Sequence, residues 1–321
     1  MNLLAGVDEA GLGPILGPLV VAGVLMRGPE GQDAWKVLRR HVGKQKHEKG
    51  KVRVADSKKV HQGPHGLRHL EATALTFWAA LHGELPTDLG SWLTALGADT
   101  KALARCPWYE DLLLPLPRLA DADSLRLSAE LIARELRRAD MALVHIAVRP
   151  VDVEEWNLLI ADTDNKSRAH FHAFAEVIGG LLERIGDDPA GDGRRHLVAD
   201  RCGGRMHYGQ DLRRLCPDAA VVVLDEQPAC SSYRLERPAG DVTVTFAERG
   251  EDRAFPTALA SCFAKYLREL MVECLNRWFC ARVPGLAPTA GYFVDGHRFL
   301  DDLAPHAAAL QVPRELLVRV R

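Results

Sequence analysis

Acidic side chains at the ends of apolar segments are the residues in this sequence best suited to chemistry. In Gly6-Val7-Asp8-Glu9-Ala10-Gly11-Leu12-Gly13-Pro14, two adjacent acids close an apolar run and face a Gly-rich turn. Acids at the mouth of a buried strand are costly to desolvate unless they are paired or bind a cation, and the glycines let a ligand approach the backbone closely. Asp200 ends His196-Leu197-Val198-Ala199-Asp200 and is followed by Arg201 and Gly203-Gly204; a strand-end acid before a glycine turn is where an α/β sheet presents site residues. Glu269 lies in a helical segment in which Ser261, Lys265 and Glu269, spaced i, i+4, i+8, share one face. Each acid alone has an ordinary reading: a solvated strand end, a turn-starting Asp, a surface pair of Lys265 with Glu269. Together the four point to a cluster for a divalent cation, and hard oxygen ligands without a His/Cys grouping favour Mg²⁺ or Mn²⁺ over zinc. The turn alone is a weak phosphate-loop signal, because no Gly-Lys-Ser/Thr follows it.

A sheet is needed to position these acids. Residues 3–8 and 17–25 read as two strands joined by the Gly/Pro-punctuated turn. Further strands are expected over 142–148, 196–200, 219–224 and 242–247, and helices over 34–42, 67–82, 124–138, 166–185 and 257–281. In the 166–185 segment, Phe171, Phe174, Ile178, Leu181 and Ile185 form one helical stripe. Residues 83–117 are broken by Pro, Gly and Trp and resist assignment; 186–195, rich in Gly and Asp, reads as a surface loop, and 299–321 is mixed. Strands first adjacent and then alternating with helices indicate a mixed α/β sheet. Adjacent strand residues point to opposite faces, so Asp8 and Glu9 serve one site only if the chain turns at once after Asp8, which Gly11 permits.

The 321 residues allow about one to three domains and a core that needs no disulfide or metal staple. With 47% apolar and 26% charged residues the composition is globular, which excludes a disordered or collagen-like chain. Lys+Arg 41 against Asp+Glu 43 excludes attachment to nucleic acid by bulk positive charge. A local basic patch is nonetheless present. Lys36, Arg39, Arg40, Lys44, Lys46, Lys49, Lys51, Arg53, Lys58 and Lys59 stand against only Glu48 and Asp56 in residues 35–59. The seven cysteines are scattered without a CxxC pair, so neither a zinc knuckle nor a disulfide framework is indicated. The N-terminal segment lacks the basic region of a signal peptide, and the apolar run at 14–26 is too short to span a bilayer. These features read as a reduced, soluble, cytoplasmic protein with no membrane partner.

The segment GVDEAGLGPILGPLVVAGV resembles the N-terminal motif of type 2 ribonuclease H, the ribonuclease HII/HIII group, in which a strand bearing Asp-Glu-Ala-Gly precedes Gly-Pro-x-x-Gly-Pro and a Val/Ala strand. Val54-Ala55-Asp56-Ser57-Lys58-Lys59-Val60 is similar to that family's Asp-Ser-Lys-Lys segment, and residues 142–157 to its next strand and helix entry. HLVAD resembles the strand bearing its third acid, and Ala260-Ser261-Cys262-Phe263-Ala264-Lys265-Tyr266-Leu267-Arg268-Glu269 resembles its Ala-Ser-x-x-Ala-Lys-x-x-Arg-Asp helix, read as bearing the fourth. Gly291-Tyr292 falls where the family has a Gly-Tyr whose ring stacks on the substrate sugar. The resemblance implies a ribonuclease H-like fold, a mixed central sheet flanked by helices. The catalytic domain would comprise residues 1–81 and 140–321, with 82–139 a mostly helical insertion of unknown role. Departures are visible. Leu12 replaces the family's Arg or Thr between the glycines, Glu269 replaces Asp, Asp200 lies in Ala-Asp-Arg rather than Val-Asp-Gly, and residues 229–243 look inserted. Asp295, in Val294-Asp295-Gly296, mimics the third-acid motif but follows the Glu269 helix and is read as a decoy.

The activity so implied is endonucleolytic cutting of the RNA strand of an RNA/DNA hybrid, or cutting at a ribonucleotide within duplex DNA. Asp8, Glu9, Asp200 and Glu269 would ligate two Mg²⁺ or Mn²⁺ ions about 3.5–4 Å apart, which would activate the attacking water and stabilise the departing 3′-oxygen. Gly11, Leu12, Gly13 and Tyr292 would lie against the substrate, with Gly11, Gly13 and Tyr292 the candidates for sensing the 2′-hydroxyl. Ser57, Lys58 and Lys59 would hold backbone phosphates. No obligate protein partner is readable. Leu12 and Glu269 motivate an alternative, a non-catalytic or altered-specificity nucleic-acid reader of the same fold. A phosphotransferase or ATPase using Asp8 and the GLGPILG turn is a third reading, weakened by the missing P-loop lysine.

Overall fold

The computed structural model of the chain describes residues 1–188 and 193–320; residues 189–192 of the expected 186–195 loop and Arg321 of the mixed tail lie outside the described residues. The strands are β1 (Asn2–Ala10), β2 (Leu19–Gly28), β3 (Val42–Gly43), β4 (Val52–Arg53), β5 (Ala142–Val151), β6 (Arg195–Asp200), β7 (Ala220–Gln227), β8 (Cys230–Glu236) and β9 (Val242–Ala247). Seven of them form one sheet in the order β5-β2-β1-β6-β9-β8-β7, and β3 and β4 pair apart from it. β1, β6 and β9 run parallel, while β2, β5, β8 and β7 join their neighbours antiparallel. The expected mixed α/β sheet flanked by helices is the observed architecture.

Period-two alternation in β1 and β2 feeds two cores, one on each face of the sheet. Val20, Ala22, Val24 and Met26 are buried with the Phe255–Arg282 helix, including Leu259, Phe263 and Leu267. Leu3, Ala5, Val7, Leu19, Val21 and Leu25 are buried with the Lys166–Asp187 helix, whose stripe of Phe171, Phe174, Ile178, Leu181 and Ile185 faces the sheet as its spacing predicts. Gly6 lets the long helix lie directly on β1. A Cβ there would stand 2.0 Å from the Thr257 amide nitrogen, and the Thr257 hydroxyl donates to the Val198 carbonyl on β6 at 2.8 Å. The helix bearing Ser261 is thereby fixed against the two strands that carry the acids.

Three elements depart from expectation. The helix expected over 34–42 ends at Val37, because Val42 and Gly43 leave to pair with Val52 and Arg53. Residues 229–243, read as inserted, contribute β8, which pairs with both β7 and β9; its alternating Ser231, Tyr233 and Leu235 are buried. β1 does not turn after Asp8 but continues in register to Ala10↔Val20.

Residues 82–139 contain helices Leu89–Ala95, Thr100–Leu103 and Ala122–Arg138, and pack onto the long helix. Trp92 lies 6.1 Å from Phe263 and 5.9 Å from Tyr266 between ring centroids, and Trp108 5.5 Å from Phe279. Trp92, Trp108 and Tyr109 are thus core residues. Fully buried Glu71 ties the segment down. Its carboxylate accepts from the amides of Arg118 (2.8 Å), Leu119 (2.6 Å) and Ala120 (2.5 Å) and from the Tyr266 hydroxyl (2.5 Å). Leaving buried donors unpaired is expensive. Glu71→Ala should therefore lower unfolding stability by at least about 2 kcal/mol in a urea titration. A change within the scatter of surface substitutions would show that these bonds do not hold the segment.

Candidate functional site

The parallel pairing of β1 with β6 stops at Val7↔Ala199, whereas β6 stays paired with β9 to Asp200↔Ala247. At this parting, Asp8, Glu9 and Asp200 bring one carboxylate oxygen each within 4.8 Å of one another. Asp8 faces the long helix at Ser261, which opposes the rise of its pKa. Glu9 points to the other sheet face yet reaches the same gap, its side chain being one methylene longer. Opposite pleat faces therefore converge without the turn that the sequence called for.

The cluster is built to hold negative charge close together. Burial, then the charges of Glu9 and Asp200, raise the Asp8 carboxyl well above the usual carboxylate range. Burial and the charge of Asp200 push Glu9 up to about 8, against the opposing pull of Lys58. Burial also raises Asp200, although the amide of Gly250 donates to its Oδ1 at 3.2 Å. Glu9 Oε2 is buried with no hydrogen-bond partner. A buried, unpartnered carboxylate oxygen beside two more carboxylates is what a divalent cation would satisfy, and an all-oxygen donor set suits Mg²⁺ or Mn²⁺. The residues fit such an ion.

A cleft of about 390 Å³ opens over the cluster, lined by Asp8, Glu9, Asp56, Ser57, Lys58, Lys59, Asp200, Arg249, Glu251 and Ser261. The Ser57–Val60 helix is capped by Asp56, which accepts from the Lys58 amide at 2.9 Å. Ser57 is buried, its hydroxyl accepting from Ser261 Oγ at 3.0 Å, so it docks this helix to the long one. Lys58 and Lys59 stay exposed at the rim.

Glu269 is the expected ligand that the structure leaves out of the cluster. Its carboxylate is paired with Lys265 Nζ at 2.6 Å and Arg268 Nη1 at 3.1 Å. Burial would raise its pKa, but these two cations outweigh it and hold the carboxyl below its ordinary range. The helix rises about 1.5 Å per residue, so two turns past Ser261 carry Glu269 away from Asp8. Glu251, which the sequence reading missed, lines the cleft instead. Its carboxyl is raised by burial and by the charges of Asp200 and Asp56. A strand-end signal would have pointed to Glu248, which directly follows β9 and pairs with Arg201, whereas Glu251 sits in the Gly250–Arg253 helix and is brought to the cleft by the fold.

His170 was likewise missed as anything but a helix residue. It is buried, its Nε2 stands 3.7 Å from Glu9 Oε1, and burial followed by the charges of Lys166, Arg319 and Arg205 lowers its pKa to about 3. It is a neutral neighbour of the cluster.

The Gly-rich turn is held from beneath. Gly11 has φ +99°, and a Cβ there would lie 2.5 Å from the Pro18 carbonyl oxygen and 2.7 Å from Arg268 Nε. Its carbonyl accepts from buried Arg319 at 2.5 Å. Leu12 packs against the apolar cluster of the Lys166–Asp187 face, and Gly13 is open to solvent. The amides of Ile15 and Leu16 donate to the Gly291 carbonyl at 2.8 and 3.2 Å, which brings Tyr292 alongside. Tyr292 is half-exposed, its ring 5.5 Å from the Arg268 guanidinium and 6.0 Å from Lys265 Nζ. Asp295 lies outside the cluster, fastening the turn before Tyr292 through Thr289 Oγ1 (2.6 Å) and the Ala290 amide (2.7 Å).

No protein-family model matches the sequence, and no curated protein matches it. The chain resembles solved type 2 ribonuclease H structures. Against RNase HII from Archaeoglobus fulgidus, in its complex with PCNA, the TM-score is 0.45 at 17% identity, covering 99% of this chain and 94% of that one. Against ribonuclease H2 from Pyrococcus horikoshii OT3 it is 0.40 at 14% identity, covering 98% and 92%. Against Bst-RNase HIII in complex with Mn²⁺ it is 0.41 at 16% identity, covering 99% and 66%.

The raised carboxyls make a prediction about stability. A folded-state pKa of about 8 for Glu9, against 4.5 for the free group, means the folded protein holds a proton that the unfolded chain has released. That stabilisation is complete below about pH 4.5 and is lost as pH rises through about 8. In EDTA, this group should make Tm fall as pH is raised from 5 to 9, and Glu9→Gln should flatten the fall. Added Mn²⁺ should raise Tm more at pH 8 than at pH 5. An equal Tm increment at both values would show that the cation does not bind these carboxylates.

Proposed function

We propose that the chain is a divalent-metal-dependent endonuclease that cuts the RNA strand of RNA/DNA hybrids or cuts at ribonucleotides in duplex DNA. The observation that carries the reading is the convergence of Asp8, Glu9 and Asp200 at a strand parting, with a buried unpartnered carboxylate oxygen, beneath a cleft rimmed by lysines. The order of motifs along the chain supports the ribonucleotide-directed form of it. Asp8, Glu9 and Asp200 are the proposed ligands, and Glu251 is proposed as the fourth carboxylate in place of Glu269. Bound Mg²⁺ or Mn²⁺, two per site in this reading, supplies charge neutralisation at the scissile phosphate and acidifies the attacking water.

The chain's own residues do the rest. Lys58 and Lys59 hold phosphates at the rim, and Ser57 keeps their helix docked through Ser261. The backbone of Gly11–Gly13 and the ring of Tyr292 form the wall where a ribose would lie, and recognition of RNA requires contact with its 2′-hydroxyl there. Leu12 holds the turn by apolar packing and leaves this recognition to the backbone. Glu269 neutralises Lys265 and Arg268 under the Tyr292 ring and so positions that wall. Residues 82–139 are read as an insertion that buttresses the long helix. The seven cysteines, all unpaired, suit a reducing compartment, the cytoplasm in this reading. Among the described residues, no helix is long and apolar enough to cross a membrane.

Three end-labelled duplexes test the function: all-DNA, DNA with one ribonucleotide, and an RNA/DNA hybrid, each with Mg²⁺ or Mn²⁺. Cutting should occur only at ribonucleotides and vanish in Asp8→Asn. Tight binding without cutting in either metal would favour the non-catalytic reader. The ligand assignment is checked by Mn²⁺ titration calorimetry. Glu251→Gln should weaken binding about tenfold or more, while Glu269→Gln should leave it unchanged. The reverse pattern would return the fourth ligand to Glu269.

A further inference from the structure

The basic stretch of residues 35–59 meets the cleft only at Lys58 and Lys59, and its remainder forms a surface of its own. β4 lies against the Gly66–His82 helix, where the Thr73 hydroxyl donates to the Arg53 carbonyl at 2.6 Å, and Arg53 Nη2 in turn holds the β3–β4 loop by donating to the Lys46 carbonyl at 3.2 Å. Lys46 Nζ lies 3.8 Å from where a Cβ on Gly63 would stand. The surface is thereby joined to Lys58 and Lys59 through the 61–65 turn.

Most of the charge on this surface is held in no close ion pair, although Asp121 feels Arg68. Glu48, the acid within the loop, is occupied by Lys51 Nζ and by the amides of Lys44 and Gln45, each at 2.9 Å. Lys46, Lys49, Arg53 and Arg68 form no ion pair among the described residues, and Lys46, Lys49 and Arg68 are exposed. Burial first, then the neighbouring Arg53, His65, Arg68 and Lys46, lower the pKa of His69. A chain with net charge −2 has concentrated cations here. Screening limits exposed charges to a range of about 8 Å in physiological salt, so a ligand must lie on the surface to feel them.

We infer that this surface is the track for one arm of a nucleic-acid duplex, running from the carboxylate cleft across the 61–65 turn to Lys46, Lys49 and Arg68. A duplex presents about one phosphate charge per 1.7 Å of its axis, a density of negative charge that exposed cations without ion-pair partners can neutralise. Proteins that hold single strands interleave aromatic rings for base stacking. Residues 44–69 contain no Phe, Trp or Tyr, so the strip reads backbone phosphates and not bases. The direction of the track rests on the nuclease reading of the cleft; the surface itself does not.

The test is salt-dependent binding of the full chain, in EDTA, to fluorescein-labelled duplexes carrying one ribonucleotide. One duplex has long arms on both sides, and two others are truncated on either side. The triple variant Lys46→Gln, Lys49→Gln, Arg68→Gln alters only exposed side chains. On the long duplex its log K against log salt should be shallower than that of the parent by up to about 2.7, three contacts at about 0.9 each. The unsubstituted protein should lose a similar slope when one particular arm is shortened and none when the other is. Identical slopes for variant and parent, or no dependence on either arm, would overturn the inference; that is also the result expected if the surface serves an acidic protein. The arm-length series, which needs no substitution, establishes that a flanking arm is bound, and the double variant Lys46→Gln, Lys49→Gln, which leaves the Gly66–His82 helix untouched, assigns that contact to the surface if the triple variant folds poorly. Arm-dependent binding without cutting by the unsubstituted protein would leave the track standing and remove the nuclease reading. Cutting with unchanged slopes would do the opposite.

Discussion

Mutual repulsion among Asp8, Glu9 and Asp200 is the constraint around which the rest of the molecule is arranged. At separations under 5 Å and an effective dielectric of about 20, each charged pair costs on the order of 3 kcal/mol. Burial adds to that by removing water. A fold left to itself would push such groups apart or protonate them, and the raised carboxyls show the second tendency. The strands cannot yield to the first. β1 is buried on both faces, held in register with β2 over its whole length and pinned at Gly6 by the helix lying on it.

Several groups near the cluster supply positive potential or fix a neighbour. Lys58 pulls on Glu9 and Asp200 from the rim. Ser261 serves two elements at once, lying beside Asp8 on the strand, whose raised pKa it opposes, and donating to Ser57 on the short helix. On the opposite side, Arg268 fills the space that Gly11 lacks a side chain to occupy and donates to the Ala290 carbonyl at 3.0 Å. One guanidinium thus fixes the distance between the Gly-rich turn and Tyr292. Glu269 makes that buried cation tolerable, because an unpaired guanidinium in the core would be strongly destabilising.

Arg319 adds a second cation to the same turn from the far end of the chain, with burial lowering its pKa to about 9. The tail reaches it by pairing Leu16 with Val318 and by bonds from Asn157 Nδ2 to the Glu315 and Val318 carbonyls at 3.0 and 2.9 Å. The turn beside the acids is therefore set by residues more than two hundred positions away, and the segment 82–139 braces the helix that carries Ser261 and Arg268. Rigidity at a site of like charges is assembled from parts of the chain that no local pattern connects.

Local residue patterns account for the strand-turn-strand opening, the helical stripe of the Lys166–Asp187 helix and the placing of three of the clustered acids at the ends of apolar runs. Those follow from local chemistry: period-two and period-3.6 apolar patterns, and carboxylates placed where apolar runs end. The sequence also located the basic stretch, since charge density needs no fold to be counted. Tertiary structure alone decided which acids meet. Glu269 and Glu251 are both acids near strand or helix landmarks, and only the axial rise of the long helix and the pairing of β6 with β9 put one beside Asp200 and the other beside Arg268. It also decided that Asp8 and Glu9 converge from opposite faces, because the end of the β1–β6 ladder is a relation between two strands. Pairing, rise and burial are properties of elements in contact, and a linear pattern of residues does not contain them.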